Sequence, residues 1–189
     1  MSLLIQKIPM KFGAHVSAAS GLWNAPENAA KIGCEVLQMF SRPPYGGPIK
    51  PITPMDAQRF RDAMKECQIQ RAYIHAPYTI NLASKAPRIR FGSISLLRTE
   101  LERGTLLGCR GVMFHPGSAK DVGEKKGVQM VIDGLDAILE GYRGYCQLLI
   151  EISAGAGMVI GDSFEEIAAF EIDAFIKLCG ECFGVDLHA

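Results

Sequence analysis

The chain has 189 residues and 20.6 kDa, is 48% hydrophobic, and balances 20 basic against 20 acidic residues, which suits one domain with a sizeable core. No apolar run approaches the roughly 20 residues that a bilayer crossing needs, and the opening MSLLIQKIPMKFG lacks the basic lead-in, long apolar centre and small-residue cleavage site of a secretory signal. Six scattered cysteines in a chain of ordinary core composition read as reduced thiols, so the expectation is a soluble cytoplasmic protein with no membrane segment, residues 1–9 being a leader and Met10 an equally good start.

In chain order, the first apolar run is KFGAHV (residues 11–16), which holds His15, and helical spacing follows over 25–32. EVLQMF (35–40) leads into helical spacing over 54–67, RAYIH (71–75) into 93–107, and GVMFH (111–115) into 128–139. LLIEI (148–152) precedes a helical stretch over 164–178. Ser163-Phe-Glu-Glu166 opens it as a capping box, with the Ser163 hydroxyl on the third backbone amide and Glu166 reaching back. FGVDLH (183–188) closes the series as a sixth strand. Strands alternating with helices predict βα units around a parallel sheet. Two helix exits are near copies, Lys31-Ile-Gly-Cys and Leu106-Leu-Gly-Cys. Gly33 and Gly108 fit left-handed helix caps, and Cys34 and Cys109 fit small buried apolar groups. Cys179 and Cys182 form one C-x-x-C, with no second half to complete a four-ligand zinc site.

A strand buried on both faces is almost wholly apolar, so ionisable residues at successive strand ends need a reason. His75 ends the third strand, His115 the fourth, Glu151 lies in the fifth, and Asp186 and His188 lie in the sixth; His15 sits in the first. In a (β/α) barrel the carboxyl ends of the strands build the active site. Imidazole and carboxylate donors point to zinc, iron or manganese, and Glu151 between histidine-bearing neighbours suits a carboxylate bridging two ions. Tyr78 follows His75 in the loop HAPYTINL, and HPGS (115–118) and SAGAG (153–157) offer small residues around which backbone amides can approach an anion. Gly155 and Gly157 fall short of a dinucleotide fingerprint because Gly161 comes one residue late. Residues 1–100 carry 13 Lys/Arg against 6 Asp/Glu, an excess suited to an anionic partner.

Five stretches, GAHVSAASGL (13–22), HAPYTINL (75–82), GVMFHPGS (111–118), IEISAGAG (150–157) and DLHA (186–189), together resemble the endonuclease IV family of zinc-dependent apurinic/apyrimidinic endonucleases. The resemblance runs in order from Met10 onward. It implies a (β/α)8 TIM-type barrel that cleaves double-stranded DNA on the 5′ side of an abasic sugar in base-excision repair, with a cluster of three zinc ions. His75 and His115 then match ligands of one zinc, Glu151 the carboxylate bridging to a second, Asp186 a ligand of that second site, and His188 is the nearest candidate for the third. Tyr78 matches an aromatic inserted into the DNA. Where the family carries an arginine wedge, the loop FSRPPYGG offers Tyr45 by position, with Arg42 nearby; beside Tyr78 stands Thr79 instead of an apolar wedge. Asp186-Leu187-His188 reads D-x-H against the family's D-x-x-H, a one-residue change that turns a strand side chain to the other face. A full barrel takes about 250 residues. The expectation for residues 10–189 is therefore an incomplete barrel of about six βα units, a monomer that stops inside its own site and is inactive. The competing expectations are a metal-dependent sugar isomerase or epimerase, and a non-catalytic fragment that binds abasic DNA or a partner.

Overall fold

Strands and helices alternate along the described residues: β1 (Gly13–His15), α1 (Asn24–Lys31), β2 (Val36–Met39), α2 (Pro54–Glu66), β3 (Arg71–His75), α3 (Pro87–Leu107), β4 (Gly111–Phe114), α4 (Glu124–Leu139), β5 (Gln147–Ile150) and α5 (Phe164–Ala168). The computed structural model describes residues 10–46, 49–155, 157–168 and 170. The expected leader, the sixth strand, the Cys179/Cys182 pair and the end of the last helix lie outside these residues. The five strands form one sheet in the order β1-β2-β3-β4-β5, every pair parallel. Sequential parallel strands, each followed by a helix, are the arrangement of a TIM-type barrel, and the chain holds the first part of one.

Side chains alternate across the sheet as the two-residue period demands. Leu37 and Met39, Ala72 and Ile74, Val112 and Phe114, and Leu148 are buried and belong to the main apolar core. The helices complete that core with Ala29 from α1, Phe60 from α2, Leu97 and Leu101 from α3, and Val131, Leu135 and Ile138 from α4. Burying a side chain of this size contributes about 1.5–3 kcal/mol, so the helix-packed face carries most of the fold's stability. Gln38, Tyr73, His75, Met113 and Leu149 occupy the alternate positions, on the face turned away from the helices. That face has room for polar groups, and it leads into the site.

The near-copied helix exits are both left-handed caps with paired backbone bonds. Gly33 and Gly108 have φ of 77° and 85°. Gly33 N–H donates to Ala30 O at 3.0 Å and Cys34 N–H to Ala29 O at 3.0 Å; Gly108 N–H donates to Thr105 O at 3.3 Å and Cys109 N–H to Gly104 O at 2.9 Å. Each pair satisfies two orphan carbonyls of its helix. Cys109 is fully buried and Cys34 half-buried. Burial pushes the Cys109 thiol well up and the Cys146 thiol up to about 12, as befits packing groups.

The starts of α3 and α4 and the cap of α5 differ from the sequence expectation. α3 begins at Pro87 instead of residue 93, because Pro at the first position opens a helix whose early turns carry little apolar signal. α4 begins at Glu124, its first turn including Gly127, where a Cβ would stand 2.8 Å from Ile160 and closer still to Ala119. The expected capping box at α5 is half formed. Glu166 N–H donates to Ser163 Oγ at 3.2 Å, but the Glu166 carboxylate accepts from Gly161 N–H at 2.7 Å, an amide freed by the turn before the helix. A complete box opens α2 instead, where Thr53 and Asp56 exchange bonds.

Candidate metal centre

His75 is the last residue of β3, and His115 and Glu151 directly follow β4 and β5. The register pairs His75 with Met113 and Phe114 with Ile150, so the three side chains emerge at adjacent corners of one sheet end. One donor atom from each lies within 4.8 Å of the other two. Glu151 Oε2 stands 3.1 Å from His75 Nε2 and 3.8 Å from His115 Nε2. Two donors on one tetrahedral zinc, each about 2.1 Å from the ion, are about 3.4 Å apart. The spacing matches a shared ion.

Hydrogen bonding gives a second, independent test of fit. His75 Nδ1 lies 2.6 Å from Ala76 O. A carbonyl oxygen only accepts, so Nδ1 carries a proton and Nε2 is the ring atom left to meet a metal. Nε2 lies 3.1 Å from Glu151 Oε2, a buried atom that has no hydrogen-bond partner among the described residues. Two acceptors at this distance are reconciled either by a shared metal ion or by a proton on the ring. His115 repeats the pattern more loosely, with Nδ1 3.3 Å from Ser153 Oγ and Nε2 turned inward. A ring nitrogen held by an outer partner while the other faces the site is the usual arrangement of a ligating histidine. The donor set therefore fits a divalent metal of the zinc type.

Aromatic rings pack around His75. Phe40 lies 5.4 Å from it, Tyr78 5.5 Å, His115 5.7 Å and His15 6.1 Å between centroids. Phe40 also stands 4.5 Å from His15 and 5.4 Å from Tyr78, so it holds the rings apart and in place. Sequence reasoning missed Phe40. It ends an apolar run, and only the fold reveals that the ring turns toward His15, His75 and Tyr78. His15 Nδ1 is 2.7 Å from Gln38 Oε1, and Gln38 Nε2 donates to Met113 Sδ at 3.2 Å, which fixes both side chains beside the cluster. A cavity of about 970 Å³ opens between the loops after β1 and β2, with His15 and Phe40 in the wall nearest the cluster.

Of the other residues singled out in the sequence, Tyr78 is 55% exposed and Tyr45 81% exposed, with ring centroids 5.7 Å apart. Tyr78 N–H donates to Pro44 O at 3.1 Å, tying the loop after β3 to the loop after β2. The Arg42 side chain is buried and its Nε donates to Glu100 Oε1 at 2.6 Å, so its guanidinium faces α3. Two amides of the small-residue loops are spent internally. Ser118 N–H donates to Asn81 Oδ1 at 3.2 Å and Ser153 N–H to Gly161 O at 2.9 Å, so neither is directed at an anion. Asp186 and His188 lie outside the described residues.

A profile of the xylose isomerase-like TIM barrel family matches residues 26–178. The probable endonuclease 4 of Symbiobacterium thermophilum is 37% identical over 158 residues, covering 84% of this chain and 57% of that protein. That of Halorhodospira halophila is 38% identical over 161 residues, with coverage of 84% and 54%. Among solved structures, endonuclease IV from Thermus thermophilus aligns with a TM-score of 0.76 at 30% identity, over 87% of this chain and 60% of that one. A D-tagatose 3-epimerase-like protein aligns with a TM-score of 0.64 at 18% identity, which shows the shared fold alone. The chain spans between a half and two thirds of the length of these relatives.

Proposed function

Because the chain belongs to the xylose isomerase-like TIM barrel family, we propose that it carries the metal centre of a DNA-repair endonuclease that hydrolyses the phosphodiester 5′ to an abasic sugar. The observation that carries this reading is the convergence of His75, His115 and the unpartnered Glu151 Oε2, 3.1 Å from His75 Nε2, beside two exposed tyrosines. His75, His115 and Glu151 are the proposed zinc ligands in the described part of the chain; Asp186 and His188 are proposed as further ligands from the sequence resemblance. A zinc ion in such a donor set supplies Lewis acidity toward a phosphoryl oxygen and makes water acidic enough to attack near neutral pH.

The chain's own residues prepare that chemistry. The Ala76 carbonyl holds the His75 proton on Nδ1 and so keeps Nε2 available. Glu151 supplies the negative charge that balances a cation in a half-buried place. Phe40 and Tyr78 exclude water from one side of His75. An abasic sugar has lost its stacking and is easily extruded, and Tyr78 with Tyr45 offers exposed ring faces to the bases left beside the gap. Each base–aromatic stack is worth about 1–3 kcal/mol. The basic excess of residues 1–100 suits the phosphate backbone. The partner is duplex DNA, and the protein acts as a cytoplasmic monomer.

The test is binding and incision of a duplex containing one abasic site. The reading expects abasic-site binding that zinc strengthens and that a chelator or Glu151→Gln weakens; zinc-dependent incision on the 5′ side by these 189 residues would overturn the expectation that they are inactive. It also expects Tyr78→Ala to weaken abasic-site binding by about 1–3 kcal/mol, leaving zinc content unchanged. Turnover of free ketoses without any preference for abasic DNA would instead support the sugar isomerase reading, which the same donor set permits.

A further inference from the structure

Three charged side chains that the metal centre does not use close a buried network over the loop between β2 and α2. Glu100, in α3, is fully buried. Its Oε1 accepts from Arg42 Nε at 2.6 Å and lies 3.5 Å from Arg103 Nε, and its Oε2 accepts from the Ser41 hydroxyl. Arg103, one turn along α3, donates from Nε to Ser41 Oγ at 2.9 Å, from Nη2 to Ser41 O at 2.6 Å and from Nη1 to Lys50 O at 3.0 Å. One guanidinium thus spans both ends of the loop. Its planar fork makes these bonds at once, which a lysine cannot do.

Burying two guanidiniums against one carboxylate is a costly way to hold a loop that apolar side chains could hold at less expense of desolvation. The network gives geometry that packing alone does not. Between the tethered ends stands Tyr45, exposed and far from the core, yet set 5.7 Å from Tyr78 by its own loop. Pro44 O, one residue before it, accepts the Tyr78 amide. Without tethers at Ser41 and Lys50, ordering such a loop tip carries a large conformational cost.

We propose that Glu100, Arg103 and Arg42 form a clamp that positions Tyr45 against Tyr78, so that the two rings present one stacking surface to a damaged DNA strand. Glu100 and Arg103 are positioning residues, and Arg42 is a strut within the clamp instead of a DNA contact. The use of the surface rests on the abasic-DNA reading; the clamp itself rests on the hydrogen bonds alone.

The substitution Arg103→Lys tests it, because it keeps the buried charge balance and removes the span from Ser41 to Lys50. Amide exchange in the free protein reports on the clamp. The Tyr78 and Gly46 amides, bonded to Pro44 and Pro43 carbonyls, are expected to exchange about tenfold faster or more in the variant, with β3 and β4 amides unchanged. Unchanged exchange at Tyr78 and Gly46 overturns the proposal. Ser41→Ala, which removes only the bridging hydroxyl, gives a smaller shift of the same pattern if Arg103→Lys fails to fold. Binding of an abasic duplex reports on the surface. Arg103→Lys is expected to weaken it about fivefold in the wild-type background and less than about twofold in a Tyr45→Ala background, since both act through one ring. Equal losses in the two backgrounds mean that the clamp does not act through Tyr45 and overturn the positioning role. If the wild type binds abasic and intact duplexes alike while the exchange response holds, the DNA reading falls and the clamp stands.

Discussion

Two groups of charged side chains lie at the loop end of the same sheet, and they are built on opposite rules. In the Glu100–Arg42–Arg103 cluster, acceptors meet donors: one carboxylate and one hydroxyl are shared between two guanidiniums, and only Arg42 Nη2 among its buried side-chain atoms has no partner. In the His75–His115–Glu151 cluster, acceptors meet acceptors, and the buried Glu151 Oε2 has no hydrogen-bond partner. The first is closed by groups of the chain itself. The second is closed by a metal ion or a proton that its acceptors share. Burial of charge does not by itself mark a functional site; a mismatch of donors and acceptors does.

Breaking the closed cluster is expected to have the largest effect on stability. Glu100→Gln leaves two buried guanidiniums with a neutral partner, and losing one member of such a network costs about 3–5 kcal/mol. Urea unfolding of the variant against wild type measures it, with zinc affinity little changed in whatever fraction folds. A smaller loss than about 1 kcal/mol would mean that water already satisfies the arginines, and that the cluster is less closed than its hydrogen bonds indicate.

Filling the open cluster comes next. Free zinc at about 100 times its Kd is expected to raise unfolding free energy by about 2.7 kcal/mol through linkage. Glu151→Gln removes the central charge and should abolish most of that gain, whereas Arg103→Lys should keep it. Thermal melts with and without zinc separate the two clusters directly. The smallest expected effect belongs to the outer partners of the ligands. Ser153→Ala removes the hydroxyl beside His115 Nδ1, and such partners typically contribute about 10-fold or somewhat more in metal affinity. Competition with a chromogenic chelator reads it. No change would show that the 3.3 Å contact does not orient the ring.

The open cluster is largely legible in the sequence and the closed one is not. His75, His115 and Glu151 each end or follow a short apolar run, and their equivalent positions in successive βα units carry them to one place. Periodicity alone suffices for that. Glu100 meets Arg42 across 58 residues of chain, and a glutamate in a helix with arginine at i+3 looks like an exposed surface pair until the fold buries it. Arg42 therefore reads in the sequence as a free cation in a polar loop. Phe40 escapes for the same reason, since an aromatic at the end of a strand gives no sign of which ring it will face. Strands are well placed by the sequence because β-rich apolar runs bounded by turns are local signals, and β3 matches its expected bounds. Helix starts are harder to place, because α3 and α4 begin with polar turns whose signals are a proline and an acidic first turn instead of an apolar stripe.

The central claim is that the lone pairs of His75 and Glu151 converge on a cation. Zinc titration of the folded chain, followed by nitrogen-15 NMR of the imidazole rings, tests it most directly. The account predicts saturable zinc binding that shifts Nε2 of His75 and His115 while His75 Nδ1 keeps its proton, and that weakens by more than about 100-fold in Glu151→Gln, beyond the range of outer hydrogen-bond partners. A folded chain whose His75 Nε2 signal is unmoved by zinc, or whose affinity survives Glu151→Gln, would contradict it.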